Sequence, residues 1–482
     1  MRQIVLDGTR AGAADISEIA LTSIPVSLDA AGIDRAAASH RAVKEIMSGR
    51  QVYGRNTGVG ANRDEGVTST DGDTHGLRLM RSHAGGIGPL LPAPQVRAML
   101  AVRANQILAG GGGLQPVFAE RLAQALNSGH LPEVHEIGGI GTGDMTALAE
   151  TGLTLIGERP WTGGRGSAPT PITLEAGEAL AFFSSGALTI GQAALGWSEI
   201  TTLLRATQAV AALSLLAIEG DTEPYDVQVH AARPHPGPVA VAAEMRRLLG
   251  TPAHARARIQ DPYGFRCFPQ VHGPAVEVAA TLERVLNIEI NAAAENPLIS
   301  ASDLTVHHHG SFHQAALGLT LDHLRVALLH TAHLSAARLA ILAEPGFTGL
   351  RPFLAEGPAG SSGVMILEYS ANAALAQLRS SAYPAALGHA VLSRGMEEHA
   401  SFAAQAARQT LAAAGDYRLV VACELVAAAR ALRQRGHALD PSAPTGKAFA
   451  EAAAHLDPDG ADRSLSTDVE VAASVLDQLA AV

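Results

Sequence analysis

Two cysteines in 482 residues, Cys267 and Cys423, are too few and too far apart for a disulfide framework or a cysteine-rich metal site. That scarcity fits a reducing compartment, and a cytoplasmic location is expected. Aromatic residues make up only 4% while hydrophobic residues reach 47%, so Ala, Leu, Val and Ile must fill the core. Small and aliphatic side chains suit closely approaching helices better than β-sandwiches, and the expected fold class is all-α. Bases are outnumbered, 35 against 46 acids for a net charge of −11, and no long basic run occurs. Nucleic acid and anionic membranes are therefore not expected partners. No window offers about 18 uninterrupted apolar residues, so no bilayer-spanning segment is expected. In MRQIVLDGTR an Asp follows three apolar residues, too early for a signal-peptide core.

What is present is long helical texture punctuated by Gly and Pro. Residues 95–108 (QVRAMLAVRANQIL) repeat apolar positions at helical spacing, and AGGGG at 109–113 ends that helix as a turn. Residues 131–171 read as irregular. From 172 to 220 about fifty residues run without proline and with widely separated charges, which predicts one or two long buried helices. Further helical patterns cover about 272–295, 313–343, 363–381 and 395–434. Long helices alternating with Pro/Gly loops predict a bundle with its loops gathered at the ends. Helices apolar on so many faces predict a homo-oligomer. With no short repeat and no low-complexity linker, residues 1–482 read as one cooperative unit: a Gly-rich portion over 1–170, a long-helix bundle over 171–434 and a C-terminal helical cap over 435–482.

Five stretches carry chemistry. VYGRNTGVGANR (52–63) sets Tyr53 beside a Gly-rich loop; a tyrosine acts as a proton acceptor only if its surroundings pull its pKa down from about 10, and otherwise is an ordinary turn residue. IQDPYGFRCFPQ (259–270) gathers Gln260, Asp261, Tyr263, Arg266 and Gln270. There Arg266 offers a bidentate fork for a carboxylate, or else forms a structural ion pair with Asp261. VHHHGSFHQ (306–314) spaces His309 and His313 at i, i+4, but no HExxH or paired-Asp motif accompanies them and no metal is expected. GMEEHASF (395–402) places Glu397, Glu398 and His399 on a predicted helix, where adjacent acids diverge by about 100° so that only one glutamate faces a given pocket. GGIGTGDMTALAE (138–150) puts three small residues before Asp144 inside an otherwise helical chain.

In this order the pieces resemble the histidine and aromatic amino-acid ammonia-lyase family, from VLDG near residue 5 to about residue 410. YGRNTGVG is similar to that family's tyrosine loop, and IQDPYGFRCFPQVHG to its VQDxYSLRCxPQVxG segment. The resemblance implies an all-α long-helix bundle of the fumarase/aspartase-like type and a homotetramer with pockets built by several subunits. It implies elimination of ammonia from an L-amino acid, histidine or an aromatic one, by an electrophilic methylidene-imidazolone made from an Ala-Ser-Gly triad. By the same resemblance Tyr53 is the β-proton base, Arg266 the carboxylate anchor, and Tyr263 and Gln260 hydrogen-bonding groups near the electrophile. Phe312 is a pocket wall, Asn296 a structural polar contact and Glu397 a glutamate near the amine or an imidazole. Ser82 and His83, in RSHAGGIG, fall where the family reads the substrate side chain, and Ser-His is more like its histidine-specific members.

The departures are local. The triad here is Gly141-Thr142-Gly143. Dehydrated threonine gives an ethylidene, whose extra methyl crowds the carbon under attack and donates electrons to it, and glycine at 141 adds backbone freedom. Ser184 or its neighbours, Ser311 and Met396 replace two family asparagines and a glutamine. Two readings follow: a lyase that uses a substituted imidazolone on histidine or a related amino acid, or a prosthetic-group-free homologue. The homologue would use Tyr53 for a different elimination, addition or isomerisation on a carboxylate substrate, or be non-catalytic.

Overall fold

Helices take 61% of the chain and strands 6%, as an aromatic-poor, Ala-rich composition requires. The computed structural model describes residues 2–67, 72–250, 258–436 and 439–482. Among the described residues, strand forms four two-stranded ribbons. Backbone contacts divide the chain into two compact units: residues 1–198, 282–322 and 384–408 form the first, and 199–281, 323–383 and 409–482 the second.

The first unit is organised around the Ala93–Ala109 helix, buried on every face from Ala98 to Leu108. A helix buried all round has no solvent stripe, so its polar residues must find partners inside the protein. Arg103 donates to Glu295 Oε1 at 2.7 Å and to the carbonyls of Phe182 (2.9 Å) and Ala181 (2.7 Å). The Asn105 amide donates to the Ile290 carbonyl at 3.0 Å, and Gln106 holds Ser185 Oγ at 2.6 Å. The helix stops at Gly110, whose φ of +80° favours glycine. The glycine tract does more than turn: the carbonyls of Gly112 and Gly113 accept from the buried Arg55 guanidinium.

In the second unit the helical stretches 199–217, 268–281, 323–342 and 409–435 are joined by a buried network. Both Glu424 oxygens accept from Arg338, at 2.6 and 2.8 Å, and from Ser214 (2.7 Å) and Ser335 (2.6 Å). Arg338 also lies over the Phe268 ring and donates to the Gly264 carbonyl at 3.1 Å. His272, bonded to Thr331 Oγ1 and the Leu204 carbonyl, is pushed down to about 3 by burial and the nearby Arg338 charge, so it stays neutral.

The long helices run Ala187–Ala217, Phe268–Ile290, Ala315–Leu342, Met365–Ser381 and Ala403–Arg435, close to the stretches read from periodicity. The 172–220 run forms the long Ala187–Ala217 helix preceded by the short Glu178–Phe183, in keeping with the one or two helices expected. Two expectations need correction. The stretch 131–171 contains a buried helix, Met145–Leu155. Apart from a 3-10 turn at Ser393–Gly395, residues 395–402 are not helical: Ser393, Arg394 and Phe402 hold positive φ, and the Phe402 N–H is bound by the Ile140 carbonyl. The Glu178–Ala217 stretch is long and apolar enough to cross a membrane by composition, but 78% of its most apolar window is buried within the protein.

Because Arg103 and Glu295 are both buried, removing one partner strands the other charge. Arg103→Met is expected to lower unfolding free energy by about 3–5 kcal/mol, whereas Arg103→Met with Glu295→Leu recovers much of it; denaturant titration checks both.

Candidate active site

The first unit contains a cavity of about 690 Å³ lined by, among others, Tyr53, Thr142, Ser184, Asn296, Phe312, His313, Glu397 and His399. Tyr53 enters it from a loop whose shape is set by its neighbours. The Val52 N–H donates to Asn56 Oδ1 at 2.7 Å, and the Gly54 N–H to Thr57 Oγ1 at 3.1 Å. A β-carbon at Gly54, where φ is +67°, would lie 1.9 Å from Leu180 Cδ2. Arg55, whose guanidinium holds the glycine tract, is drawn down to about 10 by burial, offset by Glu178 and Glu295. The Gly60 N–H donates to the Tyr53 phenol oxygen at 2.7 Å, fixing the direction of the hydroxyl. Burial raises the Tyr53 pKa, the Gly60 hydrogen bond opposes this, and Glu397 adds to it. The phenol is therefore held protonated, contrary to the lowered pKa that a resting base requires. Its proton has to be taken by another group before it can act.

The triad lies between the ribbon strand His135–Ile137 and the Met145–Leu155 helix. Gly141 and Gly143 hold φ of +87° and +127°. The Gly141 carbonyl accepts from Ser401 Oγ at 2.8 Å and from the Gln314 N–H at 3.2 Å. A β-carbon at 141 would fall 2.0 Å from Ser401 Oγ, so this backbone demands glycine where the family pattern has alanine. Asp144, buried behind the triad, donates its N–H to the Ser185 carbonyl at 2.7 Å. Its carboxylate accepts from the Thr189 N–H (2.7 Å) and hydroxyl (2.8 Å). Burial outweighs these bonds and lifts its pKa to about 6.

Opposite walls come from 295–314 and 396–399. Asn296 Oδ1 accepts the His309 N–H at 2.9 Å, and His309 Nε2 meets the Glu295 carbonyl at 2.9 Å. His309 and His313 do not share a helix, since the helix begins at Ala315, so their i, i+4 spacing has no structural meaning. Both Glu397 and Glu398 line the cavity, correcting the expectation of one, because the segment is not helical. His313 Nε2 and His399 Nδ1 lie 3.0 Å apart.

Tyr53, Thr142, Asn296, Phe312 and Glu397 thus share one cavity, flanked by the triad glycines. Ser82 and His83 end the Gly72–His83 helix and do not line it; His83 stacks on Phe183 at 5.0 Å. Gln260, Tyr263 and Arg266 belong to the second unit. There Asp261 pairs with Arg258 at 3.0 Å rather than with Arg266. The Arg266 guanidinium lies 4.3 Å from the Tyr263 ring centroid, its Nε has no hydrogen bond, and it forms no ion pair among the described residues. Tyr263 itself is 65% exposed. His308, Arg63, Asp64 and the His313–His399 contact were not read from the sequence as site features. For the histidines the signal was present, as chemistry-bearing residues two apart from Glu397 and adjacent to Phe312 in sequence.

This arrangement of tyrosine loop, small-residue triad and helical frame belongs to the aromatic amino acid lyases. The model of that family matches residues 12–454, and the chain is a member and a carbon–nitrogen lyase. Among particular relatives, the histidine ammonia-lyase of Geobacillus thermodenitrificans (strain NG80-2) is 34% identical, covering 99% of this chain and 98% of its own. In structure, the ergothioneine-degrading enzyme ergothionase from Treponema denticola superposes with a TM-score of 0.91 at 26% identity, over 99% of both chains. Tyrosine aminomutase from Streptomyces globisporus gives 0.91 at 27%, over 99% of this chain and 97% of that one.

Since the folded-state pKa of Asp144 is raised from 3.8 to about 6, its contribution to stability is complete below about 3.8 and is lost as pH rises through about 6. The stability difference between wild type and Asp144→Asn is expected to shift against wild type by roughly 3 kcal/mol between pH 4 and 7. Denaturant titrations across that range measure it.

Proposed function

We propose that the protein eliminates ammonia from an L-amino acid bearing an imidazole or other aromatic side chain, leaving the α,β-unsaturated acid. The observation that carries this is the single cavity uniting Tyr53, Thr142 and Glu397. Its histidines and carboxylates offer partners to an imidazole, and Phe312 and Met145 offer apolar walls. The named activity of the Geobacillus relative supports the same reading.

The triad fits an imidazolone-type group. Its Gly141 carbonyl, the atom pair that ring closure must engage, is polarised by the Ser401 hydroxyl and the Gln314 N–H, and the site leaves no room for a β-carbon there. Gly141, Thr142 and Gly143 would form it, and it would supply an electrophile for the substrate amine. Around it this chain's residues do the remaining work. Tyr53, aimed by Gly60, receives the β-proton. Phe312 walls the pocket, Asn296 holds the backbone at His309, and Glu397 attracts the amine or the substrate's imidazole. A homotetramer in the cytoplasm completes the proposal: Gln260, Tyr263 and Arg266 of a neighbouring copy reach the cavity, with Arg266 gripping the substrate carboxylate. The Arg266 guanidinium, without an ion pair among the described residues, and the exposure of Tyr263 and Ile259 support that assignment.

Thr142 favours a second reading. The methyl of threonine weakens the electrophile, and the chain superposes on an ergothioneine-degrading enzyme and an aminomutase as well as on ammonia-lyases. In this reading the triad stays open, and Tyr53 serves an elimination, addition or isomerisation on a carboxylate substrate with a more acidic C–H or a better leaving group.

Intact mass separates the two: a mature ring lowers the mass by two waters, and an unchanged mass removes the first reading's electrophile. Ultraviolet assays with histidine, phenylalanine and tyrosine, and with α,β-unsaturated acids, then identify the reaction. Tyr53→Phe is expected to lower kcat at least ~100-fold with KM little changed. Arg266→Lys is expected to act chiefly on KM, raising it about tenfold or more.

A further inference from the structure

The histidines of this chain divide by what their rings touch. His272 is spent on Thr331 and Leu204, and His309 on the Glu295 carbonyl and the Ser311 N–H. His313 and His399 are different. Separated by 86 residues in sequence, they meet through Nε2 and Nδ1 at 3.0 Å, with ring centroids 5.1 Å apart. The His399 ring makes no other hydrogen bond among the described residues, and both rings line the cavity that holds Tyr53 and Thr142. Two imidazoles joined in this way share a proton and bind one more as a unit, because a second cation so close is repelled.

Other ionisable groups line the same cavity. Glu397 and Glu398 stand on the segment of His399 itself, Arg63, Asp64 and Tyr53 on the tyrosine loop, and His308 on the segment of His313. Burial and the facing His399 pull His313 down, which favours its neutral, proton-accepting form.

We propose that the His313–His399 pair is the general acid of the reaction: it protonates the departing amine and recovers the proton that Tyr53 takes from carbon. This rests on the elimination reading given above. The pair accepts the Tyr53 hydroxyl proton, leaving phenolate and imidazolium. The β C–H bond breaks, its proton goes to the phenolate oxygen, and its electron pair becomes the second bond of the alkene. The C–N bond breaks with its electrons on nitrogen, and the amine, bound neutral, takes the imidazolium proton and leaves as ammonia. Phenol and neutral pair remain, so no net proton is consumed. The scheme also accounts for a base that rests protonated.

The test uses the full-length protein and the amino acid that the wild type turns over fastest. His399→Gln and His313→Gln are each expected to cost about 100-fold in kcat, with KM changed far less and the acid limb of the kcat profile lost, since the pair must start neutral to accept the Tyr53 proton. Imidazole added to His399→Gly is expected to restore part of the rate, which a purely structural histidine would not permit. Histidine 15N titration by NMR is expected to show His313 moving upward in His399→Gln. Normal pH profiles with less than about threefold loss, or independent titration of the two rings, overturn the proposal while leaving the lyase reading standing. Absence of any amino-acid elimination by the wild type overturns that reading and the proposal with it.

Discussion

The Arg103–Glu295 pair is the constraint on which the first unit depends. A guanidinium without access to water must be neutralised and have its donors satisfied, and here one carboxylate and two backbone carbonyls do both. Those carbonyls belong to Ala181 and Phe182, between Leu180 and Ser184 of the cavity wall, and Glu295 adjoins Asn296 of the facing wall. One side chain therefore ties two walls to the most deeply buried helix. The cost of burying the charge is met by positional definition at the place where the chemistry needs it.

Glycine supplies the complementary property. At Gly54 the tyrosine loop passes against Leu180 with no room for a β-carbon, and at Gly141 the triad does the same against Ser401. Both approaches bring backbone amides or carbonyls into the site that a side chain would push away. The Gly60 N–H on the phenol and the doubly bonded Gly141 carbonyl are the results. Backbone groups thus make the directed hydrogen bonds to the Tyr53 phenol and the Gly141 carbonyl region, beside the ionisable side chains of the cavity. Burial, rather than a neighbouring cation, dominates the ionisation of Tyr53.

The second unit follows another rule. Its polar interior is concentrated in Glu424, which receives Arg338 and two serines, so three helical stretches are registered by one carboxylate. Arg266 stands outside this network, stacked on Tyr263 and without a carboxylate. Asp261, its rival partner in the sequence, is instead paired with Arg258.

Composition and periodicity were enough for the helical class and for the approximate limits of the long helices, because an Ala/Leu core and a 3.6-residue repeat are local properties. The family resemblance carried by the quoted motifs nominated Tyr53, Thr142, Asn296, Phe312 and Glu397. Where the chain carries positive φ or answers to distant backbone, local reading failed. The 395–402 segment has helix-forming residues, yet its N–H at Phe402 is claimed by Ile140 across 262 positions, and both glutamates enter the cavity as a result. The protonation of Tyr53, the freedom of Arg266 from Asp261 and the meeting of His313 with His399 likewise depend on burial and on partners far apart in sequence. Such facts arise only when the chain closes on itself, since no residue carries its desolvation or its distant neighbour in its own letter.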